Sequence, residues 1–386
     1  MSDGPLRGLR VVELATFIAG PFTARLLADL GADVVKVEQP GTGDPFRGFA
    51  GGNCSPHFIA YNVNKRSIAL DPKTEAGAQV MRKLLERADV FVENFRPGVM
   101  ARMGLEYETV KDWNPRLIYC SISGFGQSGP YRDRPSYDGV GQGMSGLTAQ
   151  LVTTDRPRIV GPAFSDCMTG MTAAYAILAA VAARGATGQG QLVDVSMVAA
   201  TAGFLASEIS NFFQTDEPGD PRVRARASQS FALPCRDGTM LTVHVSGSDK
   251  FTVGLLKAVG RLELLDEPRF ATRPDRVEHF DELEDILQAE FKRRTRAEWE
   301  PILQEHDVPY APVYSFEDMF ADPHVQHLGL KLTTRHPAKG EVGTIAPAPR
   351  FSATPWGGLQ APPLVGEHTR EILGEIGLSE LRDRIG

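Results

Sequence analysis

One stretch near the start constrains the fold more than any other. Residues 10–38, RVVELATFIAGPFTARLLADLGADVVKVE, read as strand, helix and strand with almost nothing between them. VVEL (11–14) is a short apolar strand. PFTARLLADLG (21–31) has Pro21 at a helix start and Gly31 past its end, where each residue is favoured. ADVVKVE (32–38) is the second strand. Two strands joined by a helical crossover lie parallel, and a parallel sheet carries helices on both faces. The pattern recurs in strand KRSIALD (65–71), amphipathic helix TEAGAQVMRKLLERA (74–88), and strands DVFVENF (89–95) and LIYCSISGFG (117–126). QGQLVDVSM (189–197) reads as one more strand, followed by a helix over 198–213. The expected fold class is α/β with a doubly wound sheet.

The texture changes at 215–229, TDEPGDPRVRARASQ, which reads as a polar linker. Beyond it FALPCRDGTMLTVHV (231–245) reads as a hairpin turning at Asp237-Gly238. An amphipathic helix (280–294) and a Pro-bracketed edge segment, VPYAPVYS (308–315), follow. The expected division is a large domain beginning with 1–214, the linker 215–229, and a small α/β domain over 230–318. An extended region (341–356) and a helix (366–376) lie in the tail.

Composition excludes several functions. The 386 residues are 42% hydrophobic, enough for a sizeable core, and the net charge of −7 argues against a nucleic-acid partner. The four cysteines form no CxxC pair, so neither a zinc site nor a disulfide framework is expected, and a reducing, cytoplasmic setting fits best. The start, MSDGPLRGLRVVEL, does not read as a signal peptide. The longest apolar helix, about 173–183, is too short to span a bilayer, so no membrane partner is expected. The histidines form no ligand pair, and His324 and His327 read as solvated helix residues; no metal is expected.

Three segments carry candidate chemistry. GPAFSDCMTGMTAAYAILAAVAAR (161–184) is a small-residue helix that opens on a carboxylate, Asp166. With Ser165 as N-cap, Asp166 is either a structural first-turn acid or a reactive group held ionised by the helix N-terminus. VENFRPGVMARMG (92–104) places an amide, an aromatic ring, Arg96 and Arg102 where a strand ends, the edge at which open α/β sheets bind ligands. NVNKRSIALDPKT (62–74) sets Lys65, Arg66 and Lys73 around another strand. The first crossover does not suit NAD: its turn, ATFIAGP, has the single Gly20 where a dinucleotide fingerprint needs three.

RVVELATFIAGPFTARLLADLGADVVKVE, NKRSIALD, ENFRPGVMARMGL, NPRLIYCSISGFGQSGP, GPAFSDCMTGMTAAYAILAA, TGQGQLVDVSM and PPLVGEHTREIL together resemble the class III CoA-transferases, in order and spacing, over nearly the whole chain. This superfamily includes formyl-CoA transferase, carnitine CoA-transferase and α-methylacyl-CoA racemase. The resemblance implies a Rossmann-like large domain completed by a return linker and tail (319–386), and a ring-shaped chain interlocked with its twin in a homodimer. It implies Asp166 as nucleophile, passing through a mixed anhydride and an aspartyl-CoA thioester, with Cys167, Thr169 and Gly170 leaving room for the thioester arm. CoA contacts are implied at Phe17, Ile18, Gln39, Leu70, Lys73, Asn94, Phe95, Arg96, Arg102, Met103, Tyr137 and Asp138. A CoA thioester enters as substrate, and no permanent cofactor is expected.

Departures narrow the activity. Ile18 stands where formyl-CoA transferase has a glutamine, Gln39 where it has an arginine, and its glycine-rich loop is missing. The resemblance therefore points away from formyl-CoA and oxalate, toward CoA transfer from a succinyl-CoA-like short-chain thioester to a small organic (di)carboxylic acid. The racemases need a histidine where this chain has Tyr137, and a phenol of ordinary pKa near ~10 is a poor base. Racemase activity remains the alternative. A second is a non-catalytic CoA-binding subunit of a two-subunit transferase, against which Asp166 speaks. Arg222, Arg224 and Arg226 form either a basic rim for the substrate or a solvated charged stretch.

Overall fold

The computed structural model describes residues 4–49, 52–152, 157–216 and 219–385. The chain forms two compact units. The first comprises Met1–Thr148, Arg158–Ala206 and Gln326–Gly386, and the second Ala149–Pro157 and Ser207–Val325.

The first unit is built on β1 (Arg10–Leu14), β2 (Asp33–Glu38), β3 (Lys65–Ala69), β4 (Val90–Glu93), β5 (Ile118–Ser123) and β6 (Gln191–Ser196). They form one parallel sheet in the order β3-β2-β1-β4-β5-β6. The order reverses between β1 and β4, the topological switch point. Neighbouring side chains point to opposite faces, as the twofold period of a strand requires. Val11, Val34, Val90, Val92 and Ile118 pack with α1 (Ala19–Asp29) and the long helix Phe164–Thr187. Val12, Val35, Ile68, Phe91 and Tyr119 pack with helix Glu75–Arg87 and the C-terminal helix Thr369–Ile376. Hydrophobic cover on both faces explains why β4 and β5 are buried throughout.

Three expectations need correction. The apolar helix is not 173–183 but Phe164–Thr187, 24 residues, long and apolar enough to cross a bilayer by length and composition. Its polar ends continue the helix because they find partners: Thr169 Oγ1 donates to the Ser165 carbonyl, and Arg184 pairs with Asp89 at 3.0 Å. Its Ala173, Ile177 and Ala180 face the core. The helix expected over 198–213 is two, Met197–Phe204 and Ala206–Thr215. Gly203 weakens it, and buried Leu205 leaves helical geometry at ψ 21°. The tail's extended region is a hairpin of Lys331–His336 and Gly340–Ile345.

The second unit holds an antiparallel sheet of Ser230–Pro234, Met240–His244 and edge strand Tyr310–Pro312. Phe231, Leu241, Phe280, Leu287 and Trp299 centre its core. Val223–Ser228 is helical, and residues 217–218 of the expected linker lie outside the described residues. Arg222 pairs with Glu284 at 2.5 Å and Arg226 with Asp220 at 2.6 Å, so these two arginines are neutralised by acids rather than set out as a basic rim.

Candidate active site

The parallel sheet gathers the candidates at one edge. Phe17 and Ile18 follow β1, Gln39 follows β2, and Leu70 and Lys73 follow β3. Asn94, Phe95, Arg96, Arg102 and Met103 follow β4, and Tyr137 and Asp138 follow β5. Helix Phe164–Thr187 feeds β6 from the opposite direction, so its N-terminus, with Asp166, opens at the same edge. A cavity of about 770 Å³ lies at the other edge, lined by Arg10, Asp33 and Arg66 at the strand starts.

The candidates differ in what they offer. Leu70 is wholly buried in the core, and its N–H donates to the Glu38 carbonyl at 3.0 Å. Phe95 and Met103 lie half-buried on the same core. Gln39, Lys73, Arg96 and Arg102 are exposed. The Asn94 carboxamide is committed: it accepts from Thr16 N–H at 2.9 Å and donates to the Thr16 carbonyl at 2.8 Å. It clasps the turn after β1 to the end of β4 across the switch point. Gly20 is required beside it, because a Cβ there would lie 2.5 Å from Ala15 Cβ.

Asp166 occupies the third helical position, and the cap is not Ser165. The helix starts at Phe164 with Ala163 before it, and neither supplies a side-chain cap. Ser165 is buried with its Oγ 2.5 Å from Thr201 Oγ1. The cap comes from Asp138, whose Oδ1 accepts from Ser165 N–H at 2.9 Å and Asp166 N–H at 3.2 Å. Gln142 Nε2 donates to Asp138 Oδ2 at 2.6 Å. Gly141 permits this approach, since a Cβ there would overlap Ser165 Oγ and Met197.

This arrangement reverses the expected electrostatics. Asp138 takes the N–H groups that the helix start presents and sets a like charge beside Asp166. Burial first, and the Asp138 carboxylate second, push Asp166 up to about 7. The carboxylate is therefore close to half-ionised at neutral pH. The room expected for a thioester arm is also smaller. Thr169 and Gly170 are buried, with Thr23 Oγ1 donating to the Gly170 carbonyl at 3.2 Å. Only Cys167, half-buried, faces outward from that set.

Residues 6–369 match the model of CoA-transferase family III. The chain belongs to that family. Among similar relatives of this family III CoA-transferase is the succinyl-CoA:glutarate CoA-transferase of Mus musculus, 35% identical over 96% of this chain and 86% of the relative. The succinyl-CoA–D-citramalate CoA-transferase of Chloroflexus aurantiacus is 35% identical over 97% of this chain and 95% of the relative. A crystal structure of a CAIB/BAIF family protein from Brucella suis superposes with TM-score 0.85 at 34% identity, covering 97% of this chain and all of that one. The resemblance read from the motifs is thus borne out, and the enzyme is a CoA-transferase.

Sequence reasoning missed a wall of rings beside the Asp166 end of the transferase. Tyr61 Oη lies 3.8 Å from Cys167 Sγ. Phe46 stacks on Tyr61 at 6.3 Å between centroids, and Phe17 meets Phe46 at 5.8 Å and Tyr137 at 5.9 Å. Phe17 has φ 64°, a strained value for a non-glycine residue, and its N–H donates to Asp44 Oδ1 at 3.3 Å. Asp44 belongs to a buried ionic web: Lys36 pairs with Asp44 at 2.8 Å and Glu13 at 2.7 Å, and Lys65 with Glu13 at 2.7 Å. The available signal was a set of charges inside otherwise apolar strands, VVEL and VVKVE. Glu93, also buried, is pushed up to about 7 by burial and bonds Ser121 Oγ and the Phe95 N–H, fixing the turn that carries Arg96.

Proposed function

We propose that the enzyme moves CoA from succinyl-CoA, or a similar short-chain thioester, to a small organic dicarboxylic acid, with Asp166 as nucleophile. Its carboxylate attacks the thioester carbonyl; the C–S bond breaks, CoA leaves as thiolate, and an acyl-aspartyl anhydride remains. The thiolate attacks the aspartyl carbonyl, releasing the donor acid and forming an aspartyl-CoA thioester. The acceptor carboxylate then attacks the aspartyl carbonyl, the C–S bond breaks and CoA leaves as thiolate; a second anhydride remains, whose acceptor carbonyl the thiolate attacks. Acceptor-CoA leaves and Asp166 is regenerated.

The observation that carries this reading is the placement of Asp166 at the C-terminal edge of the sheet with ionisation near neutrality. Both relatives described above are named for succinyl-CoA as donor. CoA lies along the same edge in this reading: Lys73, Arg96 and Arg102 meet phosphates, while Phe17, Ile18, Gln39, Leu70, Asn94, Phe95, Met103, Tyr137 and Asp138 shape the rest. The domain scheme and the interlocked homodimer belong to the same proposal. Met171 and Tyr175 leave the long helix 60% and 65% exposed, an apolar stripe that a second copy would cover. The four free cysteines fit a cytoplasmic enzyme.

The test is intact-protein mass after incubation with acyl-CoAs, with hydroxylamine or borohydride trapping and peptide mapping. The expected adduct maps to Asp166 and is absent from Asp166→Ala. Racemisation of a 2-methylacyl-CoA without any adduct would replace this reading with the racemase one.

A further inference from the structure

Helix Pro56–Asn62 carries two ring side chains on one face, His57 and Tyr61, four residues apart. Residues at that spacing stand one above the other, about 6 Å apart along the axis. The opposite face, Phe58, Ile59 and Asn62, is buried. Tyr61 marks the reactive end, its hydroxyl against Cys167, the neighbour of Asp166. Phe46 spans the two rings, stacked on Tyr61 and 5.5 Å from His57 between centroids. Phe49 meets His57 edge-on at 5.2 Å. An apolar aromatic strip therefore runs from the reactive end to an imidazole.

That imidazole is available. Among the described residues it makes ring contacts only, and His57 is exposed. Four other basic groups of this region are committed. Arg25 is buried on Asp29 and the Ile345 carbonyl, Arg47 on Glu38, and Lys36 and Lys65 on Glu13. A dicarboxylic acyl group reacting at one end carries a carboxylate at the other. Flat aromatic rings suit its methylene chain, and an imidazole N–H suits its terminal oxygens, most strongly when the ring is protonated.

We infer that His57 binds the distal carboxylate of the dicarboxylic acyl group while its other end reacts at Asp166, making His57 a specificity-determining residue. This rests on the function proposed above. Such a contact gives a site walled by phenylalanine and tyrosine a means to prefer a doubly charged acid over an apolar one of equal length.

The test compares succinyl-CoA with butyryl-CoA, alike in length and differing in the terminal carboxylate, as donors to glutarate. Full-length wild type, His57→Phe and His57→Gln are assayed. For His57→Phe the kcat/KM ratio of succinyl over butyryl should fall about tenfold or more, through KM for succinyl-CoA. The kcat/KM for butyryl-CoA, which reports only the donor half of the transfer, should stay within about twofold, and His57→Gln, which keeps an N–H donor, should retain part of the preference. Loss of both donors in equal measure, or an unchanged ratio in His57→Phe, overturns the inference while leaving CoA transfer standing. A wild type that uses neither thioester overturns the proposed function and this inference with it.

Discussion

Replacing Asp138 with asparagine separates the two jobs that residue performs. Asn keeps an oxygen to accept the Ser165 and Asp166 N–H groups, so the helix cap survives, but the charge beside Asp166 is gone. Burial is the larger cause of the shift from 3.8 to about 7 and is unchanged by the substitution, so the Asp138 charge supplies less than half of it. Asp166 should fall by about 1 unit, or about 1.4 kcal/mol, without reaching its ordinary value. Asp166 attacks only when ionised. In wild type, kcat/KM for the acyl-CoA should therefore drop as pH falls through about 7. In Asp138→Asn the acid limb should move to lower pH, and the variant should keep more of its maximal rate at pH ~6. Asp138→Ala is the control: it removes the cap as well and should cost about 0.5–2 kcal/mol of stability. An acid limb that stays in place, or moves upward, in Asp138→Asn would refute the electrostatic account, because Asp138 is the carboxylate that raises Asp166 among the described residues.

Further outcomes follow from the same geometry. Because the Asp166 carboxyl is raised, the folded state holds a proton that the unfolded chain releases at lower pH, so wild type loses stability as pH climbs from about 4 to 7. Asp166→Asn should therefore melt higher than wild type at pH ~8 and match it near pH ~4, read by thermal unfolding in both buffers. Gly141→Ala should shift the start of the long helix, since its Cβ would overlap Ser165 Oγ. A kcat reduced at least about tenfold with a melting point lowered only modestly is expected, and full activity would show that Ser165 yields without moving Asp166.

Much of this architecture was legible because its signals are local. The strand–helix–strand stretch at 10–38 carried Pro21 and Gly31 at its helix ends, and the sheet followed from repetition of that unit. Parallel pairing then required that residues after successive strands share an edge, so the candidate set was brought to one place by topology. What was hidden depends on long-range contacts. Ser165 looked like the cap because it precedes the acid, but the cap is Asp138, on a different helix. The apolar run 173–183 understated helix Phe164–Thr187, whose polar ends are held by partners visible only in the fold. Asn94 was legible as a residue of the ligand edge, but the clasp its amide makes on Thr16 is visible only in the fold. The ring wall through Phe46 and Tyr61 leaves no periodic trace.

The buried web beneath Phe17 has a consequence for synthesis. Arg47, which binds Glu38 in that region, also donates to the Pro363 carbonyl at 2.9 Å, and Ser67 Oγ, bound to Glu38, accepts from Gly366 N–H at 2.9 Å. The first strands thus assemble around charges some of whose partners lie about 300 residues further along the chain. A ribosome that has released the whole sheet has not yet released the residues that close its ionic interior. Until Pro363 and Gly366 arrive, Arg47 and Ser67 hold Glu38 with one hydrogen bond each still unmade. The sheet's interior is therefore closed after its strands are made, not with them.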